Sequence, residues 1–250
     1  MVTVIEDASA PSRGWAQHGF AVRARWAAVP SRDDVRAALR EIDEDGVLVC
    51  GTVATLNIVV DGLRRSDSLG TPIGFLPSIP ASGSHAHEVD ATLEFTERFT
   101  LPQGIEATLA AEPVPLTLAR NDIGGVLLGE CIFERPKLAK FGAQTYHDDT
   151  MIADGLIRGL SVRPEYGDAL TLRASVTPAS GRKRSTTTYG RAVQTASDPV
   201  PMWVDGRDMG EVTGRTWYVD DREHWLLRGA RREAPTPPER RGFFERMRRR

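Results

Sequence analysis

Lysine is nearly missing from this chain. Of its 32 basic residues, only Lys137, Lys140 and Lys183 are lysine, and the rest are arginine. With so much Ala, Gly and Pro, that bias reads as the codon usage of a high-GC genome. Arginine richness alone is therefore no sign of nucleic-acid binding. Cysteine is equally scarce. Cys50 and Cys131 each stand in an apolar, β-like run. Two such residues leave no C-x-x-C site and predict buried, reduced thiols, with one disulfide or a reactive thiol as the alternatives. Long apolar runs are lacking too. The longest, "GVLVCGTVATLNIVVDG", carries Thr, Asn and Gly and is shorter than a membrane span requires. The opening "MVTVIEDASAPSRG" has no basic segment followed by an apolar one, so no signal peptide is expected and a cytoplasmic setting is. The phosphate-cradling patterns G-x-x-x-x-G-K-[ST] and G-x-G-x-x-G after a strand are absent. No cofactor is called for, and no repeat recurs at a solenoid period.

What is present is an ordinary globular composition of 250 residues, 40% hydrophobic and 26% charged. The charge is uneven. Arg222 to Arg250 holds ten Arg and four Glu, so this end carries +6, and the net −2 leaves −8 for the rest. An acidic body with a basic tail suits a tail that meets an anionic surface, or one that is simply solvated.

Residues 1–14 read as a loose lead-in, 15–230 as one β-rich domain with a possible sub-boundary near 62–84, and 231–250 as a Pro-rich linker and tail. "GFAVRARWAAV" (19–29) alternates like a half-buried strand. In "SRDDVRAALREIDEDG", Ser31 and Asp34 form a capping-box pattern, Val35, Ala38, Leu39 and Ile42 have helical spacing, and Gly46 closes the segment. "VLVCGTVATLNIVV" (47–60) then reads as one long strand or two short ones. Together these make a strand–helix–strand unit. Residues 61–84 carry dense Gly and Pro and predict a long loop. Runs at 88–101, 113–119, 125–133, 159–166, 169–176, 202–208 and 211–219 read as short strands, with "NDIGG" (121–125) and the Asp-Gly of "VDGRDMG" as turns and 180–192 as a polar loop. Residues 141–157 have room for one short helix. The expected fold is α+β, mostly antiparallel and barrel- or sandwich-like.

Three clusters are chemically suggestive. "HAHEVD" sets His85 and His87 two apart, so on a strand both rings would share a side, with Glu88 or Asp90 as a further ligand and "YHDD" (146–149) as a third source. The plainer reading is solvated histidines where a loop meets a strand. The tail "RRGFFERMRRR" offers Arg246, Arg248, Arg249 and Arg250 with Phe243 and Phe244. These residues suit docking to a protein partner, contact with a phosphate backbone, or an unstructured end. Ser161, in "ADGLIRGLSVRPEYG", is a nucleophile type beside a glycine. Gly159 is placed to let backbone amides approach an oxyanion, and His147, His85 and His87 are the histidines in range as general base, whereas His18 and His224 sit in distant segments. Its plainer reading is an outward polar position between Leu160 and Val162.

"DGLIRGLSVRPEY" followed by "LTLRASVTPAS" resembles the serine motif and next strand of the tailed-phage prohead proteases. "GVLVCGTVATLN" and "GVLLGECIF" are similar to that family's earlier strands, in the same order, over roughly Gly46 to Ser180. The resemblance implies a capsid-maturation serine protease, or a protease-like relative in particle assembly, with Ser161 as nucleophile and capsid or assembly proteins as partners, in host cytoplasm or virion. The family's histidine falls here at Asn121, and Arg173 and Ala174 replace its acidic position. The competing expectation is a non-enzymatic, β-rich virion or assembly component, oligomeric or not, that docks through its basic tail.

Overall fold

The structure is a computed structural model that describes residues 2–10, 15, 20–27, 29–40, 42, 46–78, 86–167, 169–180 and 185–232. The fold is α+β and mostly β, as the sequence predicts. Its first half is a parallel sheet. Strands β1 (Thr3–Asp7), β2 (Ala21–Trp26), β3 (Val47–Gly51) and β4 (Pro72–Pro77) lie in the order β2-β1-β3-β4. Helix α1 (Arg32–Leu39) crosses from β2 to β3, and α2 (Val53–Arg65) crosses from β3 to β4. The predicted capping box starts α1: Asp34 N donates to Ser31 Oγ at 3.2 Å and Ser31 N to Asp34 Oδ2 at 2.9 Å. The segment expected to be a loose lead-in instead contributes β1, whose Val4 and Ile5 are fully buried.

Two segments expected to be β are helical. In 47–60 the strand ends at Gly51, and Thr52 caps α2 by accepting from Thr55 N. Val53, Leu56, Val59, Val60 and Leu63 are all buried, because α2 is covered on nearly every side. Its polar side begins only at Asn57, so the buried, β-branched first turns imitate a strand. Residues 61–84, expected to be a loop, therefore hold the last turn of α2 and all of β4. The second helix is α3 (Ala86–Arg98). Its alternating Val89, Ala91, Leu93 and Phe95 suggested a strand, but the residues that pack are four apart. Ala91, Phe95 and Phe99 are buried, while Leu93 is 42% exposed. Phe95 packs edge-on against Phe75 at 5.8 Å and against Phe99 at 5.0 Å. Burial of each Phe contributes about 1.5–3 kcal/mol, enough to override a weak strand propensity.

After the short β5 (Phe99–Thr100) and α4 (Ile105–Ala110), the chain is antiparallel. β6 (Pro113–Asn121) turns through 122–125 into β7 (Val126–Leu127), as the "NDIGG" signal predicts. β8 (Cys131–Glu134) and β9 (Phe141–His147) lie end to end between β10 (Thr150–Glu165) and β13 (Ala192–Val204). Residues 141–157, where a helix was expected, are thus a hairpin turning at Asp148 and Asp149. β11 (Thr171–Pro178) and β12 (Thr186–Gly190) extend the sheet beyond β10. β12 lies in part of the stretch expected to be a polar loop. The sheet curls until His147 of β9 meets Thr188 of β12, which gives the barrel-like body its interior of Phe133, Leu160, Val162, Leu172, Met202 and Trp217.

β14 (Arg207–Arg228) joins the two halves. It pairs with β13, then with β6, and finally runs parallel to β4 through Leu226–Pro72 and Leu227–Ile73. A two-residue β15 (Arg231–Arg232) pairs with β5. Cys50 and Cys131 are buried and form no disulfide among the described residues, as expected of reduced thiols. Among the described residues, no helix is long and apolar enough to cross a membrane.

Candidate functional site

α2 touches both halves, and its chemistry is graded along its length. Its inward side is apolar. Its other side carries Asn57, Asp61, Arg64 and Arg65 and forms one wall of a cleft of about 980 Å³. α1 supplies Arg32 and Arg36, with Arg40 just beyond it. The β6–β7 turn supplies Asn121 and Ile123, the β13–β14 turn Val204, Arg207 and Met209, and β14 Trp217. Six arginines and a single aspartate, Asp61, therefore face this space.

The arginines are not equally engaged. Arg64 and Arg65 share Asp61, at 3.3 and 2.8 Å, and Arg64 also donates to Gly124 O at 2.6 Å. Arg36 pairs with the exposed Asp33. Arg32, Arg40 and Arg207 have no ion-pair partner among the described residues. Arg207 is partly buried and donates to Asn57 Oδ1 at 3.2 Å. Burial pulls its guanidinium below the ordinary range, while the nearby Asp205 and Asp61 act in the opposite direction. The cleft thus ends on a cation that has been taken from water without a carboxylate in contact, an arrangement that favours an incoming anion.

The floor behind Arg207 is rigid. Asp205 and Gly206 form the predicted turn with φ of 50° and 84°, values that Asp and Gly tolerate best. The Asp205 carboxylate is fully buried and accepts from Leu128 N at 2.9 Å, Gly129 N at 2.6 Å, Glu130 N at 2.9 Å and Asn57 Nδ2 at 2.6 Å. Burial raises its pKa, with those four bonds opposing. Asn57 also donates to Val126 O at 2.8 Å, so its amide ties α2, β7, Asp205 and Arg207 together. Arg98 grips the same 128–130 segment from the far side, through Gly129 O at 3.1 Å. Arg163 holds Glu130 at 2.6 Å and also pairs with Glu94. Burial raises the Glu130 pKa, and Arg163 opposes it.

At the other end of α2, the strand ends of the parallel sheet carry a polar cluster. Asp7 accepts from Thr52 N at 2.7 Å, Thr55 Oγ1 at 2.5 Å and Ser9 N at 2.8 Å. Ser9 Oγ lies 2.5 Å from Ser78 Oγ.

The residues singled out from sequence do not assemble. Ser161 pairs with Ser175 and Ile132, and the same row across the sheet contains Thr187 and Trp203. Its neighbour Val162 lies in the other row, with Ala174 and Thr188. His147 Nδ1 meets Thr188 Oγ1 at 2.6 Å, so its ring lies on the barrel-interior face, opposite Ser161. His87, on α3, packs its ring 5.0 Å from that of Trp203, two strands or about 10 Å from Ser161. No hydrogen bond joins Ser161 to a histidine among the described residues. Gly159 is a paired strand residue opposite Glu134 and Thr177. His85 and the tail residues Phe243, Phe244, Arg246, Arg248, Arg249 and Arg250 lie outside the described residues. The described part of "HAHEVD" is helical, and among the described residues no three His, Cys, Asp or Glu side chains converge on a metal position.

The sequence reading missed Asn57, Asp205, Arg207 and Asp7. One signal pointed to Asn57, a lone Asn in an apolar run, and another to the cleft as a whole, the Arg32, Arg36, Arg40 row at four-residue spacing.

No protein-family profile matches the chain, and no curated protein is detectably similar to it. Solved structures do match. A Bacillus anthracis protein assigned as a diacylglycerol kinase aligns with TM-score 0.60 and 12% identity, over 91% of this chain and 95% of that one. A second structure of a diacylglycerol kinase from the same organism gives 0.55 and 12%, over 91% and 94%. An NAD kinase from Archaeoglobus fulgidus, in complex with ATP, gives 0.54 and 9%, over 91% and 93%. At these identities the likeness concerns the fold. It overturns the prohead-protease expectation, and with it the phage, capsid and virion readings, enzymatic or not, because the chain shares nearly its whole architecture with kinases. The matching "GLSV" and "LTLRASV" pieces are a β10–β11 pair, a pattern that many antiparallel sheets repeat.

Proposed function

We propose that this chain is a phosphoryl-transfer protein of the lipid or nucleotide kinase type, with a phosphate-bearing ligand held in the arginine-lined cleft. The observation that carries the reading is Arg207, a partly buried guanidinium facing the cleft with no carboxylate in contact among the described residues. The fold's solved examples support it, being named as diacylglycerol and NAD kinases, one of them bound to ATP.

Phosphoryl transfer spreads negative charge over the equatorial oxygens, so the protein's task is mainly to position and neutralise. Arg207 would donate to a phosphate oxygen while Asn57 and Asp205 fix its direction. Arg32 and Arg36 would draw the anion to the mouth. Ile123 and Met209 offer apolar surface to the rest of the ligand. The two buried thiols suit a reducing cytoplasm.

The test is calorimetric titration with ATP and ADP, together with ADP release when diacylglycerol vesicles or NAD are supplied as acceptor. A charged hydrogen bond is worth about 1.5–3 kcal/mol, so Arg207→Ala should weaken nucleotide binding roughly 10- to 100-fold, and Arg207→Lys should recover part of that. A wild-type protein with no saturable nucleotide binding would sink the proposal, as would an Arg207→Ala variant that binds as tightly as wild type.

A further inference from the structure

We infer that the mouth of the cleft is a membrane-docking surface, in which the arginine row of α1 meets anionic lipid headgroups while Val29, Ile123 and Met209 enter the bilayer interface. The inference rests on the kinase reading only for what docking would serve, which is to bring the cleft to a ligand held in a bilayer.

Charge is sorted around α1. Arg32, Val35, Arg36, Leu39 and Arg40 line the cleft, whereas Asp33 and Asp34 do not. Residues four apart share one face of a helix, so the arginines make a stripe and the acids lie off it. Arg32, Arg36 and Arg40 are all exposed. Arg36 reaches Asp33 at 3.2 Å, while Arg32 and Arg40 have no ion-pair partner among the described residues. Arg65, also exposed, stands on the neighbouring helix.

The opposite lip is apolar. Ile123, in the β6–β7 turn, is 64% exposed, and Met209, just past the Asp205–Gly206 turn, is 41% exposed. Both line the cleft. Val29 is 68% exposed and adjoins Pro30, another lining residue. Turn tips ordinarily carry Gly, Asn, Asp or Ser, so these aliphatic side chains are unusual there. Local bonds hold them out. Asn121 Oδ1 accepts from Ile123 N at 3.2 Å and Gly125 N at 2.6 Å, and Asp208 Oδ1 accepts from Gly210 N at 2.8 Å. Asp122, beside Ile123, is turned to Arg215 at 3.4 Å. Single exposed apolar residues are common on any surface. Three of them around one arginine-rich opening fit a bilayer, where cations meet headgroups and aliphatic tips meet the acyl boundary. A protein or single-stranded nucleic-acid partner favours exposed aromatic rings. The described rim offers none, since Trp217 is buried.

The experiment is co-sedimentation of the full chain, without nucleotide, with vesicles of phosphatidylcholine alone or of phosphatidylcholine with phosphatidylglycerol. The chain should bind the anionic vesicles in preference to the neutral ones. Each arginine at such a surface is worth about fivefold, so Arg32→Gln with Arg40→Gln should weaken binding roughly 25-fold. Ile123→Asp should weaken it at least about fivefold. Ile123→Cys carrying a polarity-sensitive dye measures insertion, because Cys50 and Cys131 are buried. Its emission should shift to the blue with anionic vesicles and stay still with DNA. The inference is overturned by a chain that does not prefer anionic vesicles, or by a dye that shifts only with DNA or not at all. It is also overturned by binding that survives both sets of rim changes, which would belong to the basic tail. Nucleotide titration without vesicles tests the kinase reading separately. A chain that binds vesicles but no nucleotide sinks that reading and leaves the docking surface standing; one that binds nucleotide but no vesicles does the reverse.

Discussion

Replacing Asp205 with alanine should be among the most damaging single changes outside the apolar core. The substitution removes the acceptor for three backbone amides, those of Leu128, Gly129 and Glu130, and for the Asn57 side chain. Each donor left buried without a partner costs about 1–3 kcal/mol. Alanine at a φ of 50° adds about 1–2 kcal/mol of backbone strain that Asp tolerates better. Two effects offset these. The carboxylate itself is costly to bury, a cost that also raises its pKa, and water entering by the cleft beside Asn57 would fill part of the gap. The net expectation is a loss of about 3–5 kcal/mol, against a total stability on the order of 5–15 kcal/mol. Asp205→Asn keeps the tolerated backbone and one oxygen. Aimed at Gly129 and Glu130, that oxygen leaves an NH₂ facing the Leu128 N–H and Asn57 Nδ2, for a loss of about 2 kcal/mol. Urea unfolding with an unchanged slope should therefore rank wild type above Asn above Ala. An Asp205→Ala variant within about 1 kcal/mol of wild type would refute the reasoning, since four short bonds would then add nothing.

Two further outcomes are expected. Burial lowers the pKa of His147 below its ordinary 6.5, with Asp148 opposing. The folded state therefore prefers the neutral ring, and the unfolded chain binds protons first as the pH falls. The contribution of His147 is full above about pH 6.5 and is lost as the pH drops through the folded value. Urea midpoints at pH 8, 6 and 5 should show this fall, and His147→Gln should flatten it; an unchanged slope in the variant rules it out. Gly62 lets α1 close on α2, since a Cβ there would lie 2.6 Å from both Val35 Cγ1 and Leu39 Cδ1. Gly62→Leu should cost about 1–3 kcal/mol and, by pushing α1 and its arginines away, weaken nucleotide binding. Undiminished affinity in a folded Gly62→Leu protein would show that α1 contributes nothing to the cleft.

The features legible in the sequence were those whose cause is local. The Ser31–Asp34 capping box, the Asn121 turn and the Asp205–Gly206 turn each depend on residues a few positions apart. α2 and α3 were misread because their shape depends on what covers them. Buried along its first turns, α2 shows no polar side before Asn57, and the period of four in α3 only shows once Leu93 is seen to face solvent. The cleft was hidden for another reason. Its cations come from 32–40, 64–65 and 207, and it is the 205–206 turn, bonded to α2 through Asn57, that brings the last beside the first two groups. The protease resemblance had the opposite fault. It rested on short strand motifs, which record alternation rather than a site, and the sheet register puts Ser161 and His147 on opposite faces.

α2 is held at three points by three different parts of the chain. β1 fixes its start through Asp7, the β13–β14 turn fixes its middle through Asn57 and Asp205, and the β6–β7 turn fixes its end through Arg64 and Gly124. A helix held this way cannot slide without breaking a charged or short hydrogen bond at one of the three. An anion bound to Arg207 would pull on Asn57, and through it on Asp205 and the amides of 128–130, so the response should appear in the β-body as well as in the cleft. Hydrogen exchange should then slow at Leu128, Gly129 and Glu130 when nucleotide binds, although none of the three lines the cleft. Protection confined to α1 and α2 would mean that the three anchors hold the helix without coupling it to the barrel.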